Sequence, residues 1–363
     1  MRDVVKQPIV DFYTYPPVGG DDWRYIYQAA QVRVLEMQML SPATFLDMAN
    51  AESFEAAADL LTASEYALPP GLARSRQALA EMENILRLRR SAVRELFSDF
   101  MTRPAEPGRS RIDDPIVKLF RTRDDFANLR LAVRRTVTER PLGTDYSTDG
   151  NVPPELFEQI FAEESEPDDR PVFPDYVQQA VEQAILAYYQ NKDIRRIDYT
   201  IDKFQAEYNL NKAHELESIF LLGLFRIQID LTNIRTMLRL KFTESEQRNV
   251  FLEGGFIGPE RFRHGLDLGY EALGPLFFVT PYYRVVEAGA NYLASNKSFL
   301  KAEQQCDEFL TGFLKSTIQI TVGPQPIIAF LLMKENEIRT VRLILTAKKN
   351  FLDTKLILDR LAR

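Results

Sequence analysis

DLTNIRTMLRL, residues 230–240, decides how the rest of the chain is read. Its apolar positions Leu231, Ile234 and Leu238 recur at intervals of three and four, the spacing of a single helix face. The pattern stands twice more, as DFANLRLAVRR from Asp125 and EIRTVRLILTA from Glu337, so that the three copies begin 105 and 107 residues apart. With Asp125, Asp230 and Glu337 as position zero, the apolar stripe is Phe126, Leu231 and Ile338 at +1, Leu129, Ile234 and Val341 at +4, and Val133, Leu238 and Leu345 at +8. At +3 stand Asn128, Asn233 and Thr340, and at +5 Arg130, Arg235 and Arg342. Amphipathicity explains the stripe. It does not explain an acid at zero with an arginine at +5 three times, which is the mark of an internal repeat.

A second marker precedes each copy. Pro-x-x-Phe occurs at Pro42/Phe45, Pro154/Phe157 and Pro259/Phe262, where proline suits the first turn of a helix, and an aromatic follows at Phe54, Tyr176 and Tyr283. The same order of markers in every copy gives an all-α fold of three homologous modules, 1–140, 141–245 and 246–363. Five residues turn a helix by about 140°, so the acid and the arginine of one copy do not face each other. Each needs a partner on a packed neighbour or on another subunit; a structural bond inside the module is the expectation for the arginine.

The remaining sequence is helical in the same way. Apolar periodicity covers 23–40, 53–63, 74–101, 176–190, 194–241, 283–315 and 326–362. STIQITVG at 316–323 alone raises a strand, and it reads equally as a helix end running into Gly323-Pro324. Loops are marked at 102–114, 141–154, 163–174 and 253–259. Of 363 residues, 45 are basic and 52 acidic, giving a net charge of -7 with no basic block, which argues against a nucleic-acid partner. One cysteine, Cys306, cannot form an internal disulfide and fits a reducing compartment. The N-terminal stretch MRDVVKQPIVDFYTYPP lacks the apolar core of a secretion signal. The most apolar run, IFLLGLF at 219–225, is too short to span a bilayer and reads as a helix turn buried on all sides.

Chemistry-bearing residues are few. His214 and His264 have no partner at metal-ligand spacing, and Cys306 in EQQCDEFL has no nearby histidine, so neither a metal centre nor a thiol nucleophile is expected. EGGFIGPE at 253–260 lacks the Gly-Lys-Ser/Thr ending of a phosphate loop and reads as a tight turn into a proline-started helix. No cofactor and no small-molecule substrate are expected. An enzyme built on Asp198, Asp202 and Glu217 is the least favoured alternative, because those acids fall along a helix as a solvated face would.

RYIYQAAQVRVLEMQMLSPATF near the start, DLTNIRTMLRLK followed by FLEGGFIGPERF in the middle, and PIIAFLLMKENEIRTVRLILTAKKNFL near the end resemble the C (also called d) subunit family of V/A-type rotary ATPases. The resemblance runs over essentially the full chain, and the closing segment is its most specific part. It implies a funnel of three similar helical modules in pseudo-threefold arrangement, a non-catalytic socket on the central stalk. Its partners would be the central shaft and the membrane rotor ring, on the cytoplasmic face, held to the membrane only through the ring. A general α-helical scaffold unrelated to rotation is the other reading of the periodicity. GPLFFVTPYY, 274–283, concentrates Leu276, Phe277, Phe278 and Val279 in an apolar cluster that either packs under its own module, the favoured reading because an adjacent helix needs covering, or is offered to the ring or shaft. Its counterpart DDRPVFPDY at 168–176 is far more polar, which predicts asymmetric docking.

Overall fold

Serine caps open two of the early helices. The computed structural model describes residues 15–69, 71–102, 114–138, 145–160 and 173–361, and among these it contains fifteen α-helices and no strand. Most of the expected loops at 102–114 and 163–174, and the N-terminal stretch to residue 14, lie outside the described residues. The first four helices are α1 (Ile26–Glu36), α2 (Pro42–Asn50), α3 (Phe54–Asp59) and α4 (Ala78–Thr102). Ser41 caps α2 by accepting from the Thr44 N–H at 3.1 Å with Pro42 in the first turn, and Ser53 caps α3 through Ala56 N–H. Then follow α5 (Asp114–Val137), α6 (Pro154–Ile160), α7 (Asp175–Asn191), α8 (Arg195–Glu215) and α9 (Ile219–Phe242). The series closes with α10 (Pro259–Asp267), α11 (Tyr270–Leu276), α12 (Tyr283–Asn296), α13 (Leu300–Lys315), α14 (Pro324–Lys349) and α15 (Thr354–Arg360).

Three stretches that periodicity reads as single helices are each broken in two. The breaks fall at Glu217, Lys297 and Phe351, all in the left-handed region with φ of 51°, 54° and 57°. At the first, Ser218 N–H donates back to Ala213 O at 3.1 Å and Glu217 N–H to His214 O at 3.0 Å, the closing pattern of a helix C-terminus. Glycine usually marks such a position, and none of the three is glycine, so the sequence carries no stop signal there. STIQITVG is not a strand: Ser316–Gln319 form a 3₁₀ turn extending α13, and the chain then runs to Gly323 ahead of α14. IFLLGLF, expected to be buried all round, is buried from Phe220 to Phe225 except for a half-exposed Leu222, while Ile219 at the helix start is open to solvent.

The chain forms two compact units. One comprises Met1–Ser110, Ile234–Glu246 and Glu260–Arg363; the other comprises Arg111–Asn233 and Gln247–Pro259. In the first, α2, α3 and α4 pack on α14 and α15 around Met48, Phe54, Leu61, Leu86, Val341 and Ile344. In the second, α5 packs against α7 and α8 around Phe126, Leu129, Phe157, Val177 and Ile201. All nine residues of the repeated stripe are 2% exposed or less, which fixes the rotation of α5, α9 and α14 and thereby aims each acid and arginine.

Candidate functional site

The stripe turns Asp125 and Asp230 inward, where both are fully buried. Asp125 accepts from Val152 N–H at 2.9 Å, Asn151 Nδ2 at 3.0 Å and the Tyr176 hydroxyl at 2.7 Å. Asp230 accepts from Phe256 N–H at 2.9 Å and Ile257 N–H at 3.2 Å. Val152 and Ile257 each lie 27 residues beyond their acid and two before the proline that opens the next helix. The carboxylates therefore hold the entry turns of α6 and α10. Burial pushes the Asp125 carboxyl above its ordinary range, and the donors from Val152, Tyr176 and Asn151 oppose that.

Two further positions complete the clasp: the asparagine at +3, shared by the first two copies, and a glycine that the repeat alignment did not mark. Asn128 donates to Ser147 O at 2.9 Å and accepts Ser147 N–H at 2.8 Å; Asn233 does the same with Leu252 at 2.9 and 2.8 Å, in both cases 19 residues ahead. Gly150 and Gly255 stand where any Cβ would collide with the carboxylate oxygen of Asp125 and Asp230 respectively, so their glycines permit the close approach. The signal was present as a shared spacing, 25 residues after each aspartate. EGGFIGPE is thus a turn folded over a buried acid.

Each arginine reaches a following helix. Arg130 pairs with Asp202 and, at 3.4 Å, with Asp198 on α8; Arg235 pairs with Glu303 at 2.7 Å and Asp307 at 3.4 Å on α13. The partners stand 68 and 72 residues after the arginine in both cases. Arg134 also holds Asp198, so Asp198 and Asp202 are engaged in ion pairs, and Glu217 sits in the turn that ends α8. Asp307, 8% exposed, gathers Arg235, Arg339 at 3.1 Å and Arg360 at 2.7 Å, tying α9, α13, α14 and α15 together.

The third copy uses the N-terminal part of the chain. Glu337 accepts from Leu40 N–H at 2.7 Å and the Tyr66 hydroxyl at 2.7 Å, and it contacts Lys334, which also pairs with Glu65. Leu40 stands two residues before Pro42, the place that Val152 and Ile257 hold before their prolines. Tyr66 plays the part of Tyr176, whereas Phe54 is core and the Tyr283 hydroxyl donates to Glu287. Arg342 pairs with Glu83 of α4 at 2.8 Å. Thr340 departs from the asparagines: its hydroxyl donates to Asn336 O in its own helix.

Leu276, Phe277, Phe278 and Val279 do not form one surface. Leu276 ends α11 and is half-buried; Phe277 is fully buried, its ring 5.5 Å from that of Phe262. Phe278 and Val279 are 58% and 54% exposed. Phe278 lines a groove of about 560 Å³ with Tyr15, Pro281, Arg284, Glu308 and Phe309. Cys306 is buried, and burial pushes its thiol up to about 12, against a partial offset from Arg235. His214 and His264 are exposed on helix surfaces. Among the described residues no helix is long and apolar enough to cross a membrane.

No curated protein matches the chain at a significant level. A family described as ATP synthase (C/AC39) subunit does match, over residues 29–360, taking in all three clasps and every helix from α2 to α15. This chain belongs to the C/AC39 subunit family of the ATP synthase.

Proposed function

We propose that the chain is the non-catalytic central-stalk subunit of a V/A-type rotary ATPase, a socket that couples the rotating shaft to the membrane rotor ring during ion transport. What carries this reading is the family match over nearly the whole chain, residues 29–360. The buried clasps support it: a part that passes torque must resist shear, and fully hydrogen-bonded buried carboxylates joining helix to turn do so at three sites. The three modules expected at 1–140, 141–245 and 246–363 are proposed in a shifted frame. Each runs from an acid helix into the turn and long helix that it holds, and the last continues into the N-terminal helices, so that the three surround a common axis in pseudo-threefold fashion. Attachment to the cytoplasmic face is through the ring, and of the cluster at 276–279 only Phe278 and Val279 stand open to a partner.

Reconstitution tests the proposal. The protein is mixed with the purified shaft subunit and the detergent-solubilised ring, and size-exclusion chromatography should yield a ternary complex. Binding to neither component refutes it.

A further inference from the structure

The chain ahead of α1 is fastened down as an extended strap. Asp21 accepts from the Thr321 N–H at 2.8 Å and the Val322 N–H at 3.2 Å, Asp22 N–H donates to Val322 O at 2.8 Å, and Gln325 Nε2 donates to Gly20 O at 3.1 Å. Ahead of these bonds Pro16 and Val18 are buried while Pro17 and Gly19 are exposed, the alternation of an extended segment with one side down. Further upstream the Tyr15 ring meets Phe309 edge-on at 5.2 Å and Phe313 at 6.1 Å, and Gly312 of α13 leaves the room that the Tyr15 hydroxyl takes. The strap precedes residue 29, where the family match begins.

Tyr15 is also one wall of the groove of about 560 Å³ that Phe278, Pro281, Tyr283 and Phe309 continue, all within the first of the two units. That volume lies inside the range of about 300–1,000 Å³ of sites that bury a small organic ligand, and it takes a few residues of peptide. Its aromatic lining is open to solvent at Phe278, and Tyr15 itself is 37% exposed. The charges of the groove are unequally engaged. Glu308 accepts from Gln304 at 2.8 Å and Gln305 at 3.1 Å, whereas Arg284 is exposed and, among the described residues, pairs with no acid.

We propose that residues 8–14, PIVDFYT, run through this groove as the continuation of the strap, with Phe12 seated among Phe278, Pro281 and Phe309 and Asp11 paired with Arg284. The Thr14 Cα lies about 3.8 Å from that of Tyr15, so the segment starts at the groove wall, and its seven residues extended span about 23–25 Å, enough to cross the site. Carrying the alternation of Pro16 and Val18 upstream turns Pro8, Val10 and Phe12 inward and Asp11 outward, toward the exposed arginine. Tethering supplies an effective concentration of about millimolar, so weak contacts suffice to hold the segment. The groove is then a seat for the chain's own N-terminal segment, and a partner that takes Phe278 and Val279 must first displace it.

Thiol accessibility in the full-length protein tests this, because Cys306 is fully buried and Gln305→Cys places a reactive thiol in the groove without removing an aromatic ring. Alkylation of Gln305→Cys by N-ethylmaleimide should be about 10-fold or more slower than alkylation of the same cysteine combined with Asp11→Lys/Phe12→Glu. Phe351→Cys, at a 94% exposed position outside the groove, should react at one rate in both backgrounds. Arg284→Asp should also speed the reaction of Gln305→Cys, and adding Asp11→Arg to it should restore protection, a rescue that general loosening of the fold does not give. Equal rates for Gln305→Cys in the two backgrounds overturn the proposal. Protection that fades on dilution overturns it in favour of a second copy as the occupant. Neither shaft nor ring enters the assay, so the central-stalk reading stands or falls separately.

Discussion

Replacing Arg235 by alanine measures what the repeated arginine contributes. Its guanidinium lies 2.7 Å from Glu303 and 3.4 Å from Asp307, and the three side chains are 24%, 23% and 8% exposed. Breaking a buried ion pair by removing one partner commonly costs about 3–5 kcal/mol, because the other charge is stranded. Here neither acid is stranded: Glu303 keeps Arg239 at 2.9 Å, and Asp307 keeps Arg339 and Arg360. What is lost is one charge-assisted hydrogen bond, a weaker ion contact and the packing of the arginine stem, together about 2 kcal/mol. For a unit of this size that lowers the melting temperature by about 4–8 °C. Arg342→Ala supplies the comparison, since among the described residues Arg342 pairs with Glu83 alone, and the two are 38% and 42% exposed. Such a pair contributes about 0.5 kcal/mol, and salt screens it. Scanning calorimetry of both variants at low and high ionic strength should show a large, salt-resistant loss for Arg235→Ala and a small, salt-sensitive one for Arg342→Ala. Equal losses would refute the burial argument. Unchanged melting of Arg235→Ala with loss of assembly would place that arginine at a subunit interface instead.

Asn233→Ala leaves the Leu252 N–H and C=O without their partner in a buried site, so stability should fall by about 2 kcal/mol, and hydrogen exchange should show loss of protection at the Leu252 amide. Gly255→Ala forces the Asp230 carboxylate away from Phe256 and Ile257; its melting temperature should drop, while Gly20→Ala, at a glycine with open space around it, should change little. Asp125 has a folded-state pKa above its unfolded value, so its contribution is fully present below the unfolded value and is lost as pH rises through the folded one. The stability difference between wild type and Asp125→Asn, followed by urea titration upward from about pH 4, should therefore move against the wild type through the acidic range and level off once the folded carboxyl has ionised.

The all-helical class and the buried stripe were legible because periodicity reports directly on burial: Phe126, Leu231 and Ile338 share one offset and are all buried. The breaks at Glu217, Lys297 and Phe351 were not legible, since tertiary packing there holds non-glycine residues in the left-handed region. The role of Asp125 and Asp230 was half legible. Their recurrence stood out, but that they hold the turn ahead is a matter of three-dimensional reach, and only the matched glycines at 150 and 255 hinted at it. Core packing, the favoured reading of the 276–279 cluster, holds for Phe277, but the loop-like composition around Gly274 and Pro275 conceals the end of α11 just before it. Glu337 misleads most, for nothing in a linear reading says that its turn lies at Leu40.

That last contact sets a timetable for biosynthesis. Met48, Phe54, Leu61, Met82 and Leu86 are made well before the residues that cover them, Ile338, Val341 and Ile344, which come some 250 or more positions later. At about 5–20 residues per second the early helices wait roughly 12–50 s for α14. The segment Arg111–Asn233 can meanwhile bury its own core among α5, α7 and α8. The nascent chain thus holds an unsatisfied apolar surface on α2 to α4 until α14 has been made, and that interval is when a holding chaperone has something to bind.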